Sequence, residues 1–127
     1  MAQTGQLNKQ IIVQPSSAVV VTGTSFDAAK NMSVSLPDNI TLSLIRIRGT
    51  FATTAKVNIQ VSRDAAGDDI IIPDTEATLA VGITTASIGV AVYEVEANIY
   101  TQGTIYIHAK VDAGTYTWTK TEVYWRQ

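Results

Sequence analysis

The chain is built from short apolar runs in which β-branched residues alternate with polar ones. Met32, Val34 and Leu36 are separated by Ser33 and Ser35, and Ile40, Leu42 and Leu44 by Thr41 and Ser43. A period of two places such residues on one side of a pleated strand. The pattern returns in Val57, Ile59 and Val61, in Ile105, Ile107, Ala109 and Val111, and in a last strand from Thr115 to Trp125. Before it, Ile11-Ile12-Val13 and Ala18-Val19-Val20-Val21-Thr22 read as short strands on either side of Pro15-Ser16-Ser17, with Gly23 to Asn31 as loop or one helical turn. Ile70-Ile71-Ile72 reads as a short buried strand ended by Pro73, and Ala77 to Gly82 as a weaker strand.

Turn chemistry punctuates these runs. Pro37-Asp38-Asn39 and Gln102-Gly103 read as turns, residues 63–69 as a loop, and Asp112-Ala113-Gly114 as a tight hairpin. No segment carries a convincing helical period. The pattern predicts an all-β fold, an antiparallel β-sandwich or jelly roll of eight to nine short strands. A single domain over residues 10–127 follows a flexible arm at residues 1–9, in which Leu7 is the side chain to bury.

Two shifts of phase refine this picture. After Ile40, Leu42 and Leu44 the apolar positions move to Ile45 and Ile47, with Arg46 and Arg48 between them. After Ile88, Val90 and Val92 they move to Tyr93, Val95, Ala97 and Ile99. A shift inside one long run marks a bulge or a strand crossing between sheets, which favours packed layers over a flat meander.

Composition changes the picture only in part. Charged residues are 16% of the chain, below the roughly 25% of ordinary soluble domains. The polar surface comes instead from 17 Thr, a residue that also suits strands. A net charge of −2 gives no electrostatic footprint for nucleic acid or an anionic membrane. With no Cys there is no disulfide or thiolate chemistry. The first nine residues lack the apolar run of a secretory signal, and no stretch approaches the roughly 20 apolar residues of a membrane span. Asn31-Met32-Ser33 and Asn39-Ile40-Thr41 match the glycosylation acceptor pattern and are read as chance.

Candidate chemistry is sparse. The one His, His108, lies mid-strand opposite in phase to Ile105 and Ile107 and is expected to face solvent or a neighbouring subunit. Asp64, Asp68, Asp69, Asp74 and Glu76 cluster around Gly67, an oxygen-rich loop of the kind calcium uses. Their spacing does not follow the EF-hand order, and Asp and Gly are ordinary turn residues, so turn chemistry is the preferred reading. Glu94 and Glu96 share a strand face at a spacing compatible with a glycosidase pair, but on a polar face where solvated charge is the default. No phosphate loop, dinucleotide fingerprint or nucleophile elbow occurs. The expectation is a protein with no catalytic residues, no cofactor and no metal.

Five of the nine aromatic residues fall in the last 22 positions: Tyr106, Tyr116, Trp118, Tyr124 and Trp125. Three readings stand: core packing, a protein interface, or a platform on which sugars stack. With Leu7 they are the candidate interface residues. A single phase through the last strand would put Tyr116, Trp118 and Tyr124 on one face, and Thr121, Val123 and Trp125 on the other.

The stretch Ile45-Arg46-Ile47-Arg48-Gly49-Thr50-Phe51 leading into Val57-Asn58-Ile59-Gln60-Val61-Ser62-Arg63-Asp64, with the closing Tyr124-Trp125-Arg126, resembles small β-sandwich or jelly-roll virion proteins of tailed bacteriophages, in particular capsid decoration or cement proteins. That resemblance implies a structural viral protein, made in the host cytoplasm and seated on the virion capsid surface. It implies binding to the major capsid protein and to itself as a homo-oligomer, often a trimer, which stabilises the head. The alternative is a carbohydrate-binding or host-adhesion module, including a penton or fibre component, with a glycan as partner.

Overall fold

The computed structural model describes residues 9–52, 56–81 and 89–126. Eight strands are present among the described residues: β1 (Lys9–Val13), β2 (Val19–Val21), β3 (Asn31–Ala52), β4 (Val57–Ser62), β5 (Ile70–Glu76), β6 (Thr78–Val81), β7 (Gly89–Val111) and β8 (Thr115–Arg126). The described residues contain no helix, and the fold is the expected all-β, sandwich-like one. It differs from expectation in strand length, since β3 has 22 residues and β7 has 23.

All pairings are antiparallel within one sheet of order β1-β8-β3-β7-β4-β5, with β2 also on β8 and β6 also on β7. β3 and β7 pair along nearly their whole length, from Asn31↔His108 to Phe51↔Gly89. This long ribbon doubles over, so that one sheet supplies two layers. The first layer holds Asn31 to Leu36 of β3, Gly103 to Val111 of β7, β4 and β5. The second holds Ile40 to Ala52 of β3, the first half of β7, β8, β1, β2 and β6.

The bend falls where the sequence suggested turns. Pro37-Asp38-Asn39 does not end a strand; it lies in the register shift between Leu36 and Ile40, with Asn39 at φ 57°. Opposite it, Gly103 at φ 78° keeps β7 continuous. Asn and Gly tolerate this left-handed backbone, so turn-type residues here bend the ribbon without breaking it. Asp112-Ala113-Gly114 is likewise no hairpin, because β7 and β8 lie on opposite sides of β3; it arches from one layer to the other. β5 runs through Pro73, which sits unpaired in a register irregularity between Val61 and Ile59. Ile70, expected to be buried, is 48% exposed.

The facing layers enclose one core. Met32, Val34, Leu36, Ile59, Val61, Ile105 and Ile107 from the first layer meet Leu42, Ile45, Ile47, Tyr93, Trp118 and Val123 from the second. A direct tie crosses between them: the Trp118 indole N–H donates to Thr121 Oγ1 at 2.9 Å, whose hydroxyl donates to Met32 Sδ at 3.1 Å. Tyr93 and Tyr116 pack edge to face, with centroids 5.6 Å apart at 82°.

Bulges set which residues face that core. The first expected phase shift is a bulge at Ser43, between Leu42 and Leu44, opposite Ala97 and Asn98 of β7. At Val92–Tyr93 the β3 register is unbroken; the irregularity there is with β6, and Val92 is buried outside the central cluster. A further bulge, invisible to the sequence reading, lies at Thr119: Gly49 pairs Trp118 while Arg48 pairs Lys120. Tyr116 and Trp118 therefore face inward together with Thr121, Val123 and Trp125, while Lys120, Glu122 and Tyr124 face out.

Gly49 makes this bulge possible. A Cβ there would lie 2.2 Å from the Thr117 carbonyl oxygen and 3.0 Å from Trp118 Cα, both backbone atoms. Gly49→Ala is expected to destabilise the fold by at least about 2 kcal/mol, as overpacking against rigid neighbours does. Urea unfolding reads this as a lower midpoint with an unchanged slope; a shift inside about 0.5 kcal/mol would show that β8 lies less close than described.

Candidate functional site

Four of the polar groups that could carry chemistry, His108, Asp64, Asp74 and Glu94, are engaged in contacts that build the fold. His108 is 1% exposed, not solvent-facing as its strand phase suggested. The 63–69 loop folds over it, and its Nε2 lies 2.9 Å from the Ala65 carbonyl. Gly67, at φ 82°, closes the loop: a Cβ there would lie 3.2 Å from Gln60 Nε2 and 3.8 Å from His108 Cε1.

The acidic loop is organised around one inward-acting carboxylate. Asp64 Oδ1 accepts the amide of Asp69 at 2.8 Å and that of Asp68 at 3.0 Å, while the Asp64 carbonyl accepts the Ser62 hydroxyl at 2.6 Å. The Asp69 amide above all, with that of Asp68, holds the Asp64 carboxyl below its ordinary value. Asp64 thus works as an Asx-type cap for its own turn. No group of three or more metal-ligating side chains assembles among the described residues. Asp74 is engaged elsewhere: its carboxylate accepts Lys110 Nζ at 2.5 Å and Asn58 Nδ2 at 2.7 Å, which lowers its pKa as well.

Glu94 and Glu96 do share the outer face of β7, beside an open cleft of about 360 Å³ lined also by Leu44, Thr75, Glu76, Thr78 and Val95. Glu94 is not a free carboxylate. It forms an ion pair with Arg46, whose Nε donates to Glu94 Oε2 at 2.7 Å. Arg46 Nη1 also lies 3.7 Å from Glu122, Lys120 reaches the same Glu122 at 3.5 Å, and the Arg46 guanidinium stands 5.6 Å from the Tyr124 ring centre. A row of alternating charge, Glu94–Arg46–Glu122, thus crosses three strands of the outer face. The alternation of Ile45-Arg46-Ile47-Arg48 against Tyr93-Glu94-Val95-Glu96 could have shown half of this row. The register that aligns it could not be read from the sequence.

The candidate interface residues separate on burial. Tyr116 and Trp118 have no exposed surface, so they serve the core and present no ring to a partner. Burial pushes the Tyr116 hydroxyl pKa up, as it does that of Tyr93. Trp125 is 8% exposed at the core's margin beside Lys9. Tyr124 is half-buried on the outer face, where its hydroxyl accepts Gln10 Nε2 at 2.9 Å. Tyr106 is half-buried between Ser33 and Ser62. Leu7 lies outside the described residues, and Lys9, placed in the arm by sequence, already belongs to β1.

What the described surface leaves open is edge and face. Ile12, Val20, Ile70 and Tyr100 are the large apolar side chains exposed there, and Ile12 and Val20 both lie on the β1–β2 edge. The sequence matches no family model and no curated protein.

The depressed Asp64 carboxyl fixes a sign. Its ionised form is favoured by folding, so its contribution is present above its ordinary value of 3.8 and lost as pH falls through the folded value. Asp74 acts in the same window. Melting temperature is therefore expected to fall as pH drops below about 4. Asp64→Asn should lower it near neutrality and flatten that acid slope. An unchanged acid slope in both Asp64→Asn and Asp74→Asn would contradict this assignment.

Proposed function

We propose that this chain is a structural virion protein of the capsid-decoration type, which binds the major capsid protein and itself on the capsid surface. One observation carries the reading: the polar stretch at residues 1–8 runs directly into β1, an edge strand that pairs only with β8 among the described residues and exposes 51% of Ile12. An edge strand open on one side is suited to take a neighbouring chain along it, and polar sequence that orders on binding trades entropy for contact area. The engagement of His108, Asp64, Asp74 and Glu94 in internal contacts adds support, because it leaves surfaces as the working parts. For the glycan-platform alternative the key ring is missing, since Trp118 has no exposed surface.

Purified protein should co-sediment with capsids of the virus that encodes it at a fixed ratio to the major capsid protein. Deleting residues 1–8 should weaken that binding at least about tenfold, a loss of roughly 1.4 kcal/mol, with the melting temperature little changed. Absence of the chain from purified particles, together with no co-sedimentation, would overturn the reading. Full-affinity binding by the shortened chain would remove the arm from it.

A further inference from the structure

Sheet edges invite pairing with other chains, and proteins guard them with proline, bulges, charge or brevity. The described edges of this sheet are guarded unequally. β5 carries Pro73, Asp74 and Glu76 and an irregular register. β6 has four residues and a register shift, and β2 has three. β1 is the least guarded: though only five residues long, it holds five consecutive pairs with β8, from Lys9↔Trp125 to Val13↔Thr121, with no bulge and no proline. Its one charge, Lys9, stands at its start.

The sequence of this edge is close to a palindrome. Gln10-Ile11-Ile12-Val13-Gln14 reads nearly alike in both directions about Ile12. An antiparallel pair of identical strands related by a two-fold axis at Ile12 would set Ile12 against Ile12, Ile11 against Val13, and Gln10 against Gln14. Every apolar side chain then meets an apolar one and every amide an amide, while Lys9 falls opposite Pro15 and meets no like charge. Faces agree as well. Ile11 and Val13 pair with Val123 and Thr121 and pack against the core, so their meeting would extend that core across the axis. Ile12 pairs with Glu122 on the outer face, where half its surface is open.

We infer that β1 is a self-association edge, and that its occupant is β1 of a second copy, paired antiparallel about Ile12. The inference goes beyond the virion reading and does not rest on it. Two-fold pairing builds even-numbered assemblies, in contrast to the trimer that the resemblance implies.

Two variants test it. Ile12→Lys places like charges opposite each other on the axis, yet in the single chain sets an ammonium beside Glu122, so the fold is spared. Sedimentation over a range of concentrations should show a wild-type monomer–dimer equilibrium, with a dissociation constant raised at least about tenfold in Ile12→Lys and the circular dichroism spectrum unchanged. Because the chain has no Cys, Ile12→Cys can form a disulfide only with another copy. Directly opposed residues of an antiparallel pair have Cα atoms about 4.5–5.5 Å apart, within disulfide reach. Mild oxidation should therefore link Ile12→Cys rapidly into dimers, while Tyr100→Cys, at a position 69% exposed, links slowly.

A wild type that stays monomeric throughout, an Ile12→Lys dimer of undiminished strength, or equal cross-linking of Tyr100→Cys would overturn the pairing. Capsid co-sedimentation is scored separately. A monomer that binds capsids defeats the pairing alone, and a dimer that ignores them defeats the virion reading alone.

Discussion

The structure depends on one ribbon, the antiparallel pairing of β3 with β7, and on its closing upon itself where Met32 meets Thr121 and Trp118. The other described strands are added outward from the edges of this ribbon: β4 and β6 to β7, β5 in turn to β4, β8 to β3, and β1 and β2 in turn to β8. A flat ribbon would leave one face of Met32, Val34 and Leu36 wet. Doubling it buries them against the second layer without any change of hydrogen-bonded partner, since each strand takes part in both layers. Asn39, Asn98 and Gly103, all at positive φ, mark where the two strands yield.

Doubling also determines where function can reside. Side chains facing inward fill a continuous apolar core, and polar groups on the outside are drawn into local tasks: Asp64 caps a turn, His108 seats a loop, and Arg46 joins two carboxylates across three strands. A partly exposed ion pair such as Arg46–Glu94 adds only about 0.2–1 kcal/mol, so its larger effect is to fix the register of the outer face. Among the described residues β1 pairs on one side only, with β8. Binding by an edge uses main-chain hydrogen bonds for strength and alternate side chains for selection.

Much of this was legible in the sequence. Period-two runs such as Val57-Asn58-Ile59-Gln60-Val61 show plainly because each strand has one buried face, and the Ser43 bulge betrayed itself through the shift from Leu42 to Ile45. Other features were hidden for physical reasons. Pro37-Asp38-Asn39 suits both a turn and a bent strand, so local chemistry could not show that β3 continues through it. The bulge at Thr119 lies in a run of alternating Thr, which fits either face, and the close backbone approach beside it needs Gly49, 70 positions away. Burial of Tyr116 and Trp118, and of His108 beneath its loop, likewise follows from register and long-range contact.

The closure of the ribbon can be observed at a single proton. The Trp118 indole N–H is enclosed, donates to Thr121, and lies one bonded step from Met32 in the opposite layer. Nuclear magnetic resonance should find this proton slow to exchange with solvent, with cross-relaxation linking it to Thr121 and to the Met32 methyl group. Fast exchange, or contacts confined to β8 and its paired neighbours, would contradict a sheet folded over on itself.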